Sequence, residues 1–177
     1  MHPQDDWELS DWLEFIESVH PRTIDLSLDR VRRVLHCLVP TYPKVIITVG
    51  GTNGKGTTTA MLDSVYRSAG YRVGAYTSPH LVDYGERVKV AGEPSSAEQL
   101  CQAFQAVNTA RGMIPLTYFE FGTLAAFELF SRARLDIWIL EVGMGGRLDA
   151  VNAVDCDLAV IASIDLDHQA WLGNSRE

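Results

Sequence analysis

The stretch V-I-I-T-V-G-G-T-N-G-K-G-T-T, residues 45–58, constrains the fold of this chain more than any other. A β-branched run that ends in glycines at positions 50, 51, 54 and 56 reads as a buried strand entering a tight turn, after which the sequence resumes a helical pattern. Strand, glycine loop and helix in that order form the first half of a parallel crossover unit. The glycines let successive backbone N–H groups turn inward, the helix start adds positive potential, and Lys55 adds a full charge, so the loop can cradle phosphates. The usual phosphate-loop signature carries a glycine where Val49 stands here. A plain strand-to-helix turn is the competing reading, but it leaves Lys55 without a packing reason.

The rest of the chain fits a doubly wound, mostly parallel α/β sheet behind a two-helix leader. Trp7, Leu9, Trp12, Leu13, Ile16 and Val19 mark one amphipathic helix, and Leu28, Val31, Leu35 and Leu38 a second that stops before Pro40. Residues 1–42 are therefore read as a leader packed on the domain of residues 43–177, which carries the phosphate loop and is truncated at its carboxyl end. After the loop, a helix near 56–69 carries Met61, Leu62, Val65 and Tyr66 as its apolar stripe, and R-V-G-A-Y-T forms the next strand. A polar segment over 78–96 precedes helices near 97–111 and 119–133. D-I-W-I-L-E-V-G and D-L-A-V-I-A-S-I are continuous apolar runs, as expected of strands buried on both faces. The chain ends just after the last strand, which suggests a domain incomplete at its carboxyl end.

Fifteen basic against twenty-three acidic residues give a formal charge of −8, which disfavours unselective binding to nucleic acid or anionic membrane. Any anion must be held by local geometry. No signal peptide and no run long enough to span a bilayer is visible, and Cys37, Cys101 and Cys156 are odd in number and widely spaced. They read as buried thiols in a reducing cytoplasm.

In a parallel sheet of this kind ligands gather at the carboxyl ends of the strands. Those ends carry the loop, Ser78 and His80 in T-S-P-H-L, Glu141 in L-E-V-G-M-G-G-R-L-D, and Asp165, Asp167 and His168 in S-I-D-L-D-H. Thr57, or Thr58 in its place, can offer a hydroxyl to Mg²⁺, and Ser78, Glu141 and His168 suit a second Mg²⁺ or Mn²⁺. Taken singly, a capping serine, a backbone-bonded carboxylate and a surface histidine explain the same residues. Arg147 and Asp149 sit in a second glycine-bearing turn able to face a substrate. Tyr118, Phe119 and Glu120 stand at a helix start, where aromatics can stack on a flat ring and a carboxylate can accept ring N–H donors; core packing explains the aromatics equally well. Arg87 and Lys89 read as a solvated loop face.

Five segments in order resemble the folylpolyglutamate synthase family of the Mur-ligase superfamily: G-T-N-G-K-G-T, T-S-P-H-L with E-R-V-K-V-A-G, T-Y-F-E-F-G-T, L-E-V-G-M-G-G-R-L-D-A-V-N and S-I-D-L-D-H-Q-A-W-L-G. The resemblance is to the amino-terminal part of that family and accounts for Val49, because its phosphate loop is the shorter G-T-N-G-K form. It implies an ATP-dependent amide ligase that joins L-glutamate to dihydropteroate or to a reduced folate through an acyl phosphate. By position it implies ATP contacts from Thr52, Asn53, Gly54, Lys55, Gly56 and Thr57, and metal ligation by Thr57, Ser78, Glu141 and His168. Lys55 and His168 are the catalytic candidates. Pterin contacts fall on Thr117, Tyr118, Phe119, Glu120, Leu148, Asp149 and Ala150, with His20 and Pro21 from the leader. ATP and Mg²⁺ at two sites, or Mn²⁺, are the implied cofactors, and a cytoplasmic monomer without nucleic-acid or membrane partners is expected. Asp165 departs from the small residue common in the family. The family's carbamylated lysine, its adenine and ribose contacts and its glutamate-binding domain would lie past Glu177, so these 177 residues alone would lack turnover. A kinase or simple ATPase of another small-molecule pathway, and a non-catalytic nucleotide binder, are the alternatives.

Overall fold

The computed structural model describes residues 7–174. Two helices, α1 (Leu9–Ser18) and α2 (Asp29–Leu38), precede β1 (Val45–Gly50) and α3 (Lys55–Ser68). Then follow β2 (Val73–Tyr76), a 3₁₀ turn at Tyr84–Arg87, β3 (Val88–Val90), β4 (Glu93–Pro94), α4 (Ala97–Arg111) and α5 (Tyr118–Ala133). The chain closes with β5 (Ile137–Glu141), a 3₁₀ turn at Ala150–Ala153, β6 (Leu158–Ile161) and the short α6 (Gln169–Leu172). The strands form one sheet in the order β4-β3-β2-β5-β1-β6. The four strands β2, β5, β1 and β6 run parallel, whereas β3 and β4 are antiparallel additions.

Each face of the sheet has its own core. On one, Ile47, Val49, Val73, Ile137 and Ile139 pack against Leu62 and Tyr66 of α3. On the other, Ile46, Trp138 and Leu140 meet α5, where Phe127 stacks on Trp138 with ring centroids 5.6 Å apart. Trp12, Phe15 and Ile16 of α1 and Val31, Val34 and Leu35 of α2 join this second core through α4 and α5. The leader helices thus close over the sheet face that carries α5.

Four expectations are corrected. The segment 78–96 is not simply polar loop, because β3 pairs with β2 and turns back into β4. The buried stripe of α3 includes Thr59 and Asp63, while Met61 and Val65 are each 64% exposed. The helix rolls Leu62 and Tyr66 onto the sheet, which turns Met61 and Val65 outward. Although β6 reads as a doubly buried strand, among the described residues it is the edge of the sheet, with Leu158 and Ile161 exposed. Finally, Cys37 is exposed and Cys101 and Cys156 are half-buried, since Cys37 falls off the Val31, Val34, Leu35 stripe of α2.

Candidate active site

The register of the parallel strands aligns their carboxyl ends: Val49 of β1 lies opposite Glu141 of β5, and Tyr76 of β2 opposite Leu140. The phosphate loop, Ser78 and Glu141 therefore emerge on one edge. The loop needs its glycines at two points. Gly54, the residue before α3, has φ +84°, and Gly51 has φ +132°, where an added Cβ would come within 3.0 Å of Ala162. Both are conformations that side chains resist.

The loop is clamped from the side by the segment after β6. The Thr52 amide donates to the Ser163 carbonyl at 2.7 Å, the Ser163 hydroxyl donates to the Asn53 carbonyl at 3.1 Å, and the Thr52 hydroxyl bonds the Asp165 backbone at 2.9 Å. The Lys55 ammonium folds over the loop, donating to the carbonyls of Gly51 at 2.9 Å and Thr52 at 3.2 Å. It has a third N–H to give. Between the two candidate hydroxyls the structure discriminates: Thr58 donates back to the Gly54 carbonyl at 2.8 Å, while Thr57 is exposed at the helix start.

Beside this loop lies Glu141, only 4% exposed, with Oε2 accepting the Ser78 amide at 3.2 Å. A Cβ on Gly56 would sit 3.7 Å from both Glu141 oxygens, so the helix start faces the carboxylate. Burial raises the Glu141 pKa, against the pull of the Ser78 N–H and the Lys55 charge. No ion pair to Glu141 occurs among the described residues, so this buried anion fits a cation. His168, half-exposed, lines the same cavity as Ser78. Among the described residues no three His, Cys, Asp or Glu cluster by themselves, so a metal held here would rely on the serine and on its own bound oxygens.

That cavity, of about 820 Å³, is lined by all nine residues singled out for the pterin: His20 and Pro21, Thr117, Tyr118, Phe119 and Glu120, and Leu148, Asp149 and Ala150. A second cavity of about 770 Å³ holds Gly50, Gly51, Thr52 and Lys55. The two share Leu26, Gly143, Met144, Leu148, Asp149 and His168 in their walls, so they meet at these residues.

Within the first cavity the charged groups are arranged by partners that the sequence did not announce. Thr117 and Glu120 cap α5 reciprocally, and Arg30 from α2 reaches Glu120 with Nη2 at 2.9 Å and Nε at 3.4 Å. Arg30 also pairs with Asp25 at 3.2 Å, and Asp25 stands 3.7 Å from the ring of His20. Glu120 thus already carries a cation, from a residue that does not itself line the cavity. The signal for Arg30 was indirect: a buried carboxylate at a cap demands a cation, but spacing could not say which. Asp149 is 4% exposed and accepts the amides of Met144 at 2.9 Å and Val151 at 3.1 Å, pinning the glycine turn. Burial pushes its pKa up to about 6 despite those donors. Phe119 packs over Gly143, and both Tyr118 and Phe119 line the cavity. Arg147 is exposed and lies on the second cavity instead.

Arg87 is not on a solvated face. It is half-buried in the cavity wall, donates from Nε to His80 Nδ1 at 2.8 Å, and stacks over Tyr84 and Tyr118 at 5.3 and 5.5 Å. Lys89 takes its place in β3 opposite Ala75 and Pro94. The antiparallel strand that the sequence reading missed is what turns Arg87 inward.

Residues 49–177 match the family model described as Mur ligase middle domain. A curated relative, the dihydrofolate synthase/folylpolyglutamate synthase of Escherichia coli, is 52% identical over 99% of this chain and 42% of its own length. The solved structure of Escherichia coli FolC in complex with DHPP and ADP superposes with a TM-score of 0.96, at 52% identity over 99% of this chain and 42% of that one. A bifunctional folylpolyglutamate synthase/dihydrofolate synthase with Mn, AMPPNP and L-glutamate bound superposes with a TM-score of 0.92, at 48% identity over 99% of this chain and 43% of that one. The chain therefore spans about two-fifths of the length of these relatives.

Proposed function

Because the chain belongs to the Mur ligase middle-domain family, we propose that it supplies the ATP site and the pteridine site of an ATP-dependent amide ligase. The acceptor is dihydropteroate, or a reduced folate, and L-glutamate is joined to its carboxylate. The observation that carries this reading is the junction of the two cavities at Asp149 and His168, which lets an acceptor carboxylate in one meet a γ-phosphate in the other. The relatives are more than twice this length, so turnover is assigned to a polypeptide of their size, with the glutamate site outside these residues.

Thr52, Asn53, Gly54, Gly56 and Thr57 would surround the phosphates with backbone N–H groups and a hydroxyl, and Lys55 would lay its charge along the β/γ-phosphates. Ser78, Glu141 and His168 would hold one divalent cation and Thr57 a second, Mg²⁺ or Mn²⁺, withdrawing charge from the phosphoryl oxygens as they transfer. The acceptor carboxylate oxygen attacks the γ-phosphorus, ADP leaves, and an acyl phosphate forms. The glutamate amine then attacks the acyl carbon, expels phosphate and gives up a proton, leaving an amide. The protein's part is positioning and charge neutralisation. His20, Pro21, Thr117, Tyr118, Phe119, Glu120, Leu148, Asp149 and Ala150 would seat the pteridine acid.

Among the described residues no helix is long and apolar enough to cross a membrane, and the ligase is proposed to be a monomer working on small molecules in the cytoplasm. The test is ADP formation by the complete polypeptide. It is expected only when acceptor and glutamate are both present, and to vanish with Lys55→Ala. ADP release that ignores glutamate would mark a kinase or ATPase instead.

A further inference from the structure

We propose that Arg87 reads the acceptor carboxylate that does not react, and so sets the preference for glutamylated over unglutamylated pteridine acids. This rests on the ligase reading above. Arg87 is a half-buried guanidinium in the wall of the pteridine cavity. Its interactions take one edge and one face: Nε is spent on His80, and the guanidinium lies over the Tyr84 and Tyr118 rings. Among the described residues it forms no ion pair, and Glu17, also on the cavity wall, does not reach it. Of the other charges lining the cavity, Glu120 is answered by Arg30, Asp149 by backbone amides and Asp25 by Arg30, while Arg22, paired to Asp25 at 3.9 Å, is 74% exposed to water. A cation withdrawn from water, oriented by a histidine and two rings, with both terminal nitrogens unspent, is built to receive a planar anion.

Its place in the fold decides which anion. The Thr77 amide donates to the Arg87 carbonyl at 2.9 Å, so Arg87 lies across the antiparallel pair one residue from Ser78. That is the end of the cavity where the acceptor's carboxylates must lie if one is to reach the γ-phosphate. An unglutamylated pteridine acid has a single carboxylate, which the reaction consumes. A glutamylated one has a second, on the same terminal residue, and Arg87 is, among the described residues, the half-buried cation of the cavity wall without an ion pair, placed to bind it.

The experiment compares binding of dihydropteroate and dihydrofolate to the protein and to Arg87→Met, which keeps the stem against the rings. Each affinity is followed by ligand fluorescence. Dihydrofolate affinity is expected to fall roughly 10- to 100-fold, the loss of a charge-assisted pair, with dihydropteroate changing less than about threefold. Arg87→Lys should recover part of the difference. Because the two ligands share the pteridine and benzoyl groups, damage to the fold lowers both and cancels in their ratio. An unchanged ratio, through equal loss or no loss, overturns the assignment. Amide formation by the complete polypeptide is scored separately: no amide product together with a shifted ratio would defeat the ligase reading and leave Arg87's role standing.

Discussion

Gly56→Ala separates stability from ligand binding at the phosphate loop. Gly56 is the second residue of α3, and no positive φ constrains it. Alanine there is sterically allowed, because its Cβ would meet only the two Glu141 oxygens, each at the ordinary contact distance of 3.7 Å. A helical glycine replaced by alanine stabilises by roughly 0.5–1 kcal/mol. The methyl, however, fills the gap between the helix start and the carboxylate, where a cation bound at about 2.1 Å and its water or phosphate oxygens would have to fit. Nucleotide held at about 100 times its dissociation constant stabilises a protein by about 2.7 kcal/mol, and tenfold weaker binding at the same concentration cuts this to about 1.4. For a chain of this size each kcal/mol moves the melting temperature by about 2–4 °C. Thermal unfolding should show the variant melting slightly above the unsubstituted protein without ligand. Its further rise with Mg²⁺ and a non-hydrolysable ATP analogue should be about half as large. An undiminished rise would refute the placement of cation and phosphate between Gly56 and Glu141.

Other perturbations address the neighbouring charges. Arg30→Met strands the buried Glu120 carboxylate and should destabilise by about 3–5 kcal/mol in denaturant titration, with Glu120→Gln in the same chain restoring most of it. Glu141→Gln removes an uncompensated buried charge, so the metal-free protein should melt higher while the rise caused by Mn²⁺ disappears. Asp149, at about 6 folded against 3.8 for a free aspartate carboxyl, makes the folded state bind more protons than the unfolded between those values. Its contribution is complete below pH ~4 and is lost as pH rises through about 6, a change of roughly 3 kcal/mol. Asp149→Asn should flatten that fall in urea titrations across this pH range.

The parallel core was legible because period and length specify it: β1, β5 and the helices α4 and α5 follow from apolar runs and their spacing, and the structure adds the capping pairs Ser96–Gln99 and Thr117–Glu120. Ser78, Glu141, Tyr118, Phe119 and Glu120 were legible because strand ends and helix starts fix where side chains emerge, whereas His20, Pro21, Thr117, Leu148 and Ala150 were placed by the family resemblance. What escaped was pairing across distance. The antiparallel β3 is only three residues long, too short for alternation to show, and with it went the inward turn of Arg87. Arg30 sits ninety residues from Glu120, and nothing local to α2 distinguishes it from Arg32 or Arg33. The exposure of β6 was hidden because an apolar run reports what a strand can bury and says nothing of its place at the sheet edge.

The central claim is transfer of phosphate through the acceptor's own carboxylate. Acceptor labelled with ¹⁸O in that carboxylate, incubated with the complete polypeptide, ATP and glutamate, tests it most directly. The released phosphate should carry one labelled oxygen, the one that bridged carbon and phosphorus. Phosphate free of label, formed at the same rate without glutamate, would contradict it.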